Sequence, residues 1–295
     1  MRICIIIDDI SAYSSKRFSE EAEQSGHELA FVSWKDLVFD GGENTISINQ
    51  GILLDTFGAV ILRGSADSIT PLSLVAEYCK NKAIPLLNDQ LYVRLQNTNK
   101  LRQQILFQAN DIPCLETLYG EKLAFAAVKK RLGVPFIAKI ANGSLGKQVF
   151  KIRSREEFLQ FTETRSADHQ LYIFQKYYEI SGDYRVFVIG KDVFGSVKRI
   201  APKGEWRTNV RGAKHERTEN ETQVLALAAS VGEKLAIDFA GIDILIDASG
   251  QARVIEINTM AQFKVFESVF PEINVVGKTL ELLEKKSQSM QLSGA

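Results

Sequence analysis

The chain opens on an apolar, mostly β-branched run, residues 2 to 7, that stops at Asp8-Asp9. A short continuous apolar run with a polar stop predicts a strand buried on both faces. Helix formers fill Ser14 to Ser25, and Gly26 stands where a C-terminal cap is expected. Glu28 to Ser33 reads as the next strand, Ala59 to Leu62 as another, Leu72 to Lys82 as a helix, and Ile84 to Leu87 as a short strand around Pro85. This alternation predicts a small parallel α/β unit.

The grammar then changes. Helical patterns at Tyr92 to Gln96, Lys100 to Asn110 and Leu123 to Leu132 precede a hairpin of two strands, Val134 to Ile140 and Gln148 to Ile152. A helix over Glu156 to Glu163 leads to strands at Leu171 to Tyr177, Tyr184 to Ile189 and Val193 to Arg199, the last two joined by the turn Gly190-Lys191-Asp192. After a polar loop, Ala201 to His215, come a helix over Glu221 to Leu235, strands Ala240 to Ile246 and Ala252 to Ile257, and a closing helix Ile273 to Lys286. The small polar tail, 287–295, is expected to be disordered.

Composition narrows the classes. With 295 residues the length fits two domains or one large α/β unit. Lys and Arg total 36, as do Asp and Glu, so the formal charge is zero and nucleic acid is not the expected partner. Cys4, Cys79 and Cys114 are widely spaced, which suggests neither a disulfide framework nor a thiolate zinc site. The first apolar run is too short for a signal segment, and no stretch approaches the ~18–20 apolar residues that span a bilayer. A cytoplasmic protein with no membrane partner is the expectation.

Candidate chemistry concentrates late in the chain. The segments Gly241-Ile-Asp243-Ile-Leu245 and Val254-Ile-Glu256-Ile-Asn258 place three hard oxygen donors on neighbouring strands. Residues i and i+2 of a strand share a face, so Glu256 and Asn258 point together and a hairpin brings Asp243 beside them. Such a set suits Mg²⁺ bridging phosphates, and it equally suits a solvent-facing polar strand edge. Lys139, at the end of a strand, is followed by the Gly-rich Asn142-Gly-Ser144-Leu-Gly146-Lys147. That loop could set backbone N–H groups against phosphate, or be an ordinary turn; it is not a Walker A loop, which requires G-x-x-x-x-G-K-[ST]. Nor does a G-x-G-x-x-G follow the first strand, so NAD is not indicated.

Two further segments stand out: Phe174-Gln175-Lys176-Tyr177-Tyr178 with Gly182-Asp183-Tyr184-Arg185, and Gly204-Glu-Trp206-Arg207-Thr-Asn209. The first could place backbone at an adenine edge, with Asp183 on ribose or metal-bound water and Arg185 on phosphate. Asp183 and Arg185 could equally form a surface ion pair worth ~0–1 kcal/mol. The second could supply anion donors or be a mobile loop. His27, His169 and His215 are scattered, and no Ser–His–Asp or Cys–His arrangement is visible.

Read in order, Asn99-Lys100-Leu-Arg102, the Lys139 strand with its Gly loop, QKYY, GDYR, WRTN, GIDIL and EIN resemble the ATP-grasp superfamily, and within it the RimK-type amino-acid ligases. The resemblance runs from about Val60 to Lys278 and takes in the Arg63 strand end and the Leu87-Asn88 step. It implies an α/β (α+β) chain with the ATP-grasp fold: an N-terminal parallel α/β pre-ATP-grasp domain over 1–95, then an ATP-grasp domain over 96–286. The latter divides into a central subdomain (96–178) and a C-terminal subdomain (179–286).

The resemblance further implies that Lys100, Lys139 and Ser144 contact ATP phosphates and that Gln175, Lys176 and Tyr177 hold adenine. Asp183 and Arg185 continue the nucleotide site. Arg207 and Asn209 approach the phosphates and the reacting carboxylate, while Asp243, Glu256 and Asn258 ligate Mg²⁺, or Mn²⁺, two ions in all. The implied reaction is amide formation between a carboxylate and an amine through an acyl phosphate. An amino acid such as glutamate is added to a peptide, protein or small-molecule acceptor, by an enzyme of a family in which homo-oligomers are common.

Two departures set this chain apart: Thr259-Met-Ala-Gln-Phe263 replaces the Ser-Pro-Gly type turn common after the Asn, and Lys147-Gln148 replaces a Gly-Val ending of the phosphate loop. Arg63 either recognises substrate at the sheet edge or caps its strand. The alternatives are a peptide-modifying ATP-grasp macrocyclase, which the Gln262 to Glu267 spacing suggests, and a non-catalytic ATP-binding regulator, against which the retained Lys139, Asp243, Glu256 and Asn258 argue.

Overall fold

In the computed structural model the first strand, β1 (Arg2–Ile7), is buried on both faces as its pattern predicts. Residues 1–48, 51–64, 68–93, 99–142, 149–165 and 171–293 are described. The helix α1 (Tyr13–Ser25) follows and ends at Gly26, whose φ of 70° is the left-handed cap that glycine adopts without strain. Next come β2 (Glu28–Ser33), the short β3 (Val38–Asp40), β4 (Thr45–Ile48) and β5 (Ile52–Leu53), then β6 (Ala59–Arg63) and α2 (Ile69–Asn81). β1 pairs in parallel with β2 on one side and β6 on the other. The antiparallel β3-β4-β5 sheet was not foreseen in the sequence. The strand expected at Ile84 to Leu87 is reduced to a single bridge, Val60 to Leu86, because Pro85 has no N–H and Asn88 turns the chain.

Two short helices, α3 (Asp89–Val93) and α4 (Lys100–Ala109), lead to a central sheet. It contains β7 (Thr117–Tyr119), helix α5 (Phe125–Leu132), β8 (Phe136–Ile140), β9 (Val149–Ile152), helix α6 (Arg155–Arg165) and β10 (Tyr172–Lys176), in the order β7-β10-β8-β9. Its core, built on Phe136, Phe158, Phe161 and Phe174, draws only on its own elements.

The large antiparallel sheet has the order β13-β12-β11-β14-β15. Its strands are β11 (Asp183–Ile189), β12 (Asp192–Ile200), β13 (Lys214–Thr218), β14 (Phe239–Ile246) and β15 (Ala252–Asn258), with α7 (Thr222–Lys234) before β14. Helices α8 (Lys264–Val269) and α9 (Val275–Ser293) close the chain. By packing, α4 goes with this sheet and not with the central one: Phe107 enters its core, and Gln103 both donates to the Ile257 carbonyl at 2.8 Å and accepts from the Ile257 N–H at 3.0 Å. The tail expected to be disordered is helical as far as Ser293. A stripe of Val276, Leu280, Leu283 and Ser287 at helical spacing is buried there, so the last turns continue a packed helix.

One apolar cluster joins the N-terminal sheet to the large sheet. Ile3, Ile5 and Ile7 on one face of β1 meet Phe187 and Phe239 through Phe263, Phe266 and the buried side of α9. The alternate face, Cys4 and Ile6, packs on α2 and the small sheet.

Asn88 fixes the angle between the two sheets. Its side chain accepts from the N–H groups of Asp238 (2.9 Å) and Phe239 (3.1 Å) and donates to the Phe239 carbonyl (2.7 Å), while its own N–H donates to Asp238 Oδ2 (2.6 Å). Its φ is 57°, a conformation that Asn tolerates better than Ala. Asn88→Ala strands these buried partners and adds backbone strain, an expected loss of about 2–3 kcal/mol, and Asn88→Gly loses less by relieving the strain. Thermal unfolding should therefore give a midpoint about 5 °C or more below wild type for Asn88→Ala, with Asn88→Gly between the two.

Candidate active site

Two clefts open along the upper edge of the large sheet. The smaller, about 200 Å³, lies between this sheet and the central one; Lys139, Gln175, Tyr177, Trp206, Asp243 and Glu256 are among its walls. The larger, about 380 Å³, lies between the large sheet and the ends of β1 and β6, with Asp8, Arg63, His215, Asn258 and Met260 among its walls.

The floor between them is a buried ion network. Arg199, 6% exposed, faces Asp183 across the β11–β12 pair: its Nε donates to Asp183 Oδ1 at 2.9 Å and its Nη2 to the other oxygen. The same Nη2 lies 2.9 Å from Asp243 Oδ2. On the neighbouring strand Arg185 stands opposite Asp243 and donates to both its oxygens, from Nη2 at 2.8 Å and from Nε. Burial alone would raise the Asp243 carboxyl, but Arg185 and then Arg199 outweigh it and hold it below the usual carboxylate range. Burial likewise works against the charge on Arg199, and Asp243 and Asp183 more than restore it.

Glycine makes this packing possible. A Cβ at Gly241 would sit 2.8 Å from Arg185 Cδ and 2.7 Å from Ala261 Cβ, and one at Gly182 would sit 2.7 Å from the Arg199 carbonyl oxygen. The glycines of GIDIL and GDYR thus admit the arginines that hold Asp243 and Asp183.

Asp183 and Arg185 do not pair with each other. Lying two apart on one strand they share a face, and each is matched with a residue of a different neighbouring strand. Arg199, which nothing in its strand sequence marked out, is the link between the two acids.

Asp243 and Glu256 are register partners on β14 and β15, beside an irregularity that follows Asp243. Lys100, at the N-terminus of α4, reaches Glu256 Oε2 at 3.5 Å. Asn258 lies two residues on from Glu256, its Oδ1 accepting from the Met260 N–H at 2.9 Å. Among the described residues no three acidic, His or Cys side chains cluster as a self-sufficient metal site. Two carboxylates and an amide oxygen still fit a hard ion that completes its shell with phosphate oxygens and water.

Lys139, on β8, is 6% exposed and lines the smaller cleft. Burial pulls its ammonium down to about 8, against the pull of Glu256 in the other direction. Gln175 is anchored by its Nε2 on Thr117 Oγ1 at 2.8 Å, and Lys176 by its Nζ on Glu116 Oε1 at 2.7 Å. Tyr177 packs edge-on against Trp206, and Lys151 Nζ lies 3.5 Å from the Tyr177 ring centre. Trp206 and Lys151 were not singled out as site residues. With Ile137, Ile180 and Leu245 the cleft offers an apolar slot beside cations, the shape of a nucleotide site.

Arg207 is turned onto Glu205, donating from Nη2 at 2.8 Å and from Nε at 3.1 Å, and this pair pulls the Glu205 carboxyl down to about 2. Asn209 lines both clefts. His215, one of the scattered histidines, sits on β13 against the larger cleft; burial, and then Arg199, lower its pKa. Ser144, the Gly loop around it and His169 lie outside the described residues.

The family model for the RimK-like ATP-grasp domain matches residues 97–283. A probable alpha-L-glutamate ligase of Legionella pneumophila (strain Corby) is 28% identical over 295 residues, covering 98% of this chain and 97% of that protein. Among solved structures, the RimK domain protein ATP-grasp from Sphaerobacter thermophilus gives a TM-score of 0.75 at 18% identity, covering 96% of this chain and 99% of that one. The ATP-grasp ligase PsnB, complexed with minimal precursor, Mg and ADP, gives 0.71 at 19% identity, with 97% of each chain covered. The expected ATP-grasp fold is the fold observed. The chain belongs to the RimK-like ATP-grasp family and is a ligase that forms carbon–nitrogen bonds.

Proposed function

We propose that this ligase is ATP- and Mg²⁺-dependent and joins a carboxylate to an amine through an acyl phosphate, adding an amino acid, glutamate first among candidates, to a peptide, protein or small-molecule acceptor. The observation that carries the reading is a shared wall: Lys100, Arg199, Asn209 and Glu256 line both clefts. A phosphoryl donor in the smaller cleft and a carboxylate in the larger would meet there. The full-length match to probable glutamate ligases supports the choice of amino acid.

A carboxylate is a poor electrophile, which is why its activation needs ATP. A carboxylate oxygen attacks the γ-phosphorus, the bond to the ADP oxygen breaks, and the amine then attacks the acyl carbon and expels phosphate. Lys100 and Lys139 hold the phosphate oxygens, and the apolar slot under Tyr177 and Trp206 holds the base. Asp243, Glu256 and Asn258 would hold Mg²⁺, or Mn²⁺ in its place, which would supply positive charge against the transferring phosphoryl. Asn209 on the shared wall, and Arg207 once it leaves Glu205, are the donors for the tetrahedral oxyanion.

ADP release in the presence of Mg²⁺ and ATP, measured across pools of amino acids and carboxylate acceptors, should depend on both substrates. The Asp243→Ala, Glu256→Ala double variant should lose at least about 10²-fold in rate. ADP release that needs no acceptor, or survives in that variant, would count against the reading.

The Lys139 ammonium supplies a pH signature. Below about pH 8 it is charged and attracts phosphate; above that it is neutral. ATP affinity measured by calorimetry should therefore weaken about ten-fold between pH 7 and pH 9. In Lys139→Arg, whose guanidinium stays charged throughout, the profile should be flat. A wild-type profile as flat as that of the variant would remove Lys139 from phosphate binding.

A further inference from the structure

Arg63 ends β6 at the edge of the N-terminal sheet and is 7% exposed, yet it lines the larger cleft. Its guanidinium carbon lies 5.9 Å from the ring centres of Phe18 and Phe239 and 5.5 Å from that of Phe263. Among the described residues its one hydrogen bond runs from Nη2 to the Ala261 carbonyl at 3.2 Å. A guanidinium carries five N–H donors, so the described residues use only a small part of its capacity. Among the described residues no carboxylate lies within ion-pairing distance of it. Arg199, by contrast, is buried against two. Ring faces offset part of the charge, but a desolvated cation with no counter-ion among the described residues is a costly thing to keep. Burial lowers its pKa only to about 10, so it remains a cation at neutral pH.

The neighbouring Gly64 packs closely on the start of α2: a Cβ there would fall 2.1 Å from Ser68 Oγ and 2.4 Å from Leu72 Cδ1.

We propose that Arg63 receives a carboxylate of the amino-acid substrate, one that is not activated. This rests on the ligase reading above and names a substrate feature that the reading leaves open. The non-reacting carboxylate is the one assigned because Arg63 lines the larger cleft alone, whereas activation belongs to the wall that both clefts share. The planar fork fits a carboxylate bidentately, and the aromatic surround strengthens that contact by excluding water.

The test compares wild type, Arg63→Met and Arg63→Lys with L-glutamate, its α-amide and L-glutamine, the two amides separating the α- from the γ-carboxylate. Wild type should lose at least ten-fold in kcat/KM with one of the amides. Arg63→Met should show that loss with glutamate itself and no longer distinguish acid from amide, with the KM for ATP unchanged within two-fold. Arg63→Lys keeps charge without the fork and should fall between. A purely structural Arg63 would lower the melting temperature when replaced. Met, which removes a desolvated cation at similar volume, should leave it unchanged or raise it. An Arg63→Met enzyme that still discriminates acid from amide as wild type does overturns the proposal; should that variant not fold, undiminished discrimination in Arg63→Lys does the same.

Glutamate binding by calorimetry separates this from failure of the ligase reading. Arg63-dependent binding without turnover would keep the carboxylate site and reject the reaction, whereas binding equal in all three proteins, or absent from wild type, would reject the site.

Discussion

Arg199, buried between Asp183 and Asp243, is the constraint on which the site depends. Each of these ions taken alone out of water would cost several kcal/mol. Alternating them along β12, β11 and β14, with Arg185 at the far end, lets every charge face its opposite. The arrangement requires the exact strand register and two glycines whose missing Cβ atoms leave room for the arginines. A one-residue slip of β11 would turn Asp183 and Arg185 to the other face and leave Arg199 and Asp243, both buried, with only each other for a partner. The network therefore selects the register as much as it serves the ligand.

From this floor the electrostatics divide by side. The smaller cleft carries its cations on separate elements: Lys139 from the central sheet and Lys100 from α4, both reaching toward Glu256. The larger cleft is framed by the N-terminal and large sheets, which the Asn88 clamp and a common apolar cluster hold at a fixed angle.

Much of this was legible in the sequence because apolar runs with polar stops marked the buried strands, and Gly26 marked its helix end. The charged segment Lys214–Thr218 was read as the end of a loop and the start of nothing. It is an edge strand, where exposure on the outer side permits Lys, His, Glu and Arg and erases the apolar alternation that betrays inner strands. The last helix turns were hidden by small polar residues, among which Ser287 is nonetheless buried. Order along the chain also singled out Lys139, Asp243 and Glu256, which the fold brings to the walls of one cleft, since motif spacing survives folding. It could not show that Arg199 joins Asp183 to Asp243, because a cross-strand contact depends on register and Arg199 sits in a strand with no motif of its own.

The core of the central sheet is closed on itself: Val128, Phe136, Phe158, Phe161 and Phe174 pack on one another and, among the described residues, on none of the N-terminal or large sheet. Mutational drift in one half of the enzyme is thereby uncoupled from the other. A strand-end residue such as Arg63 can be exchanged over generations without touching that core. A lineage built this way can change what it joins while keeping how it is powered.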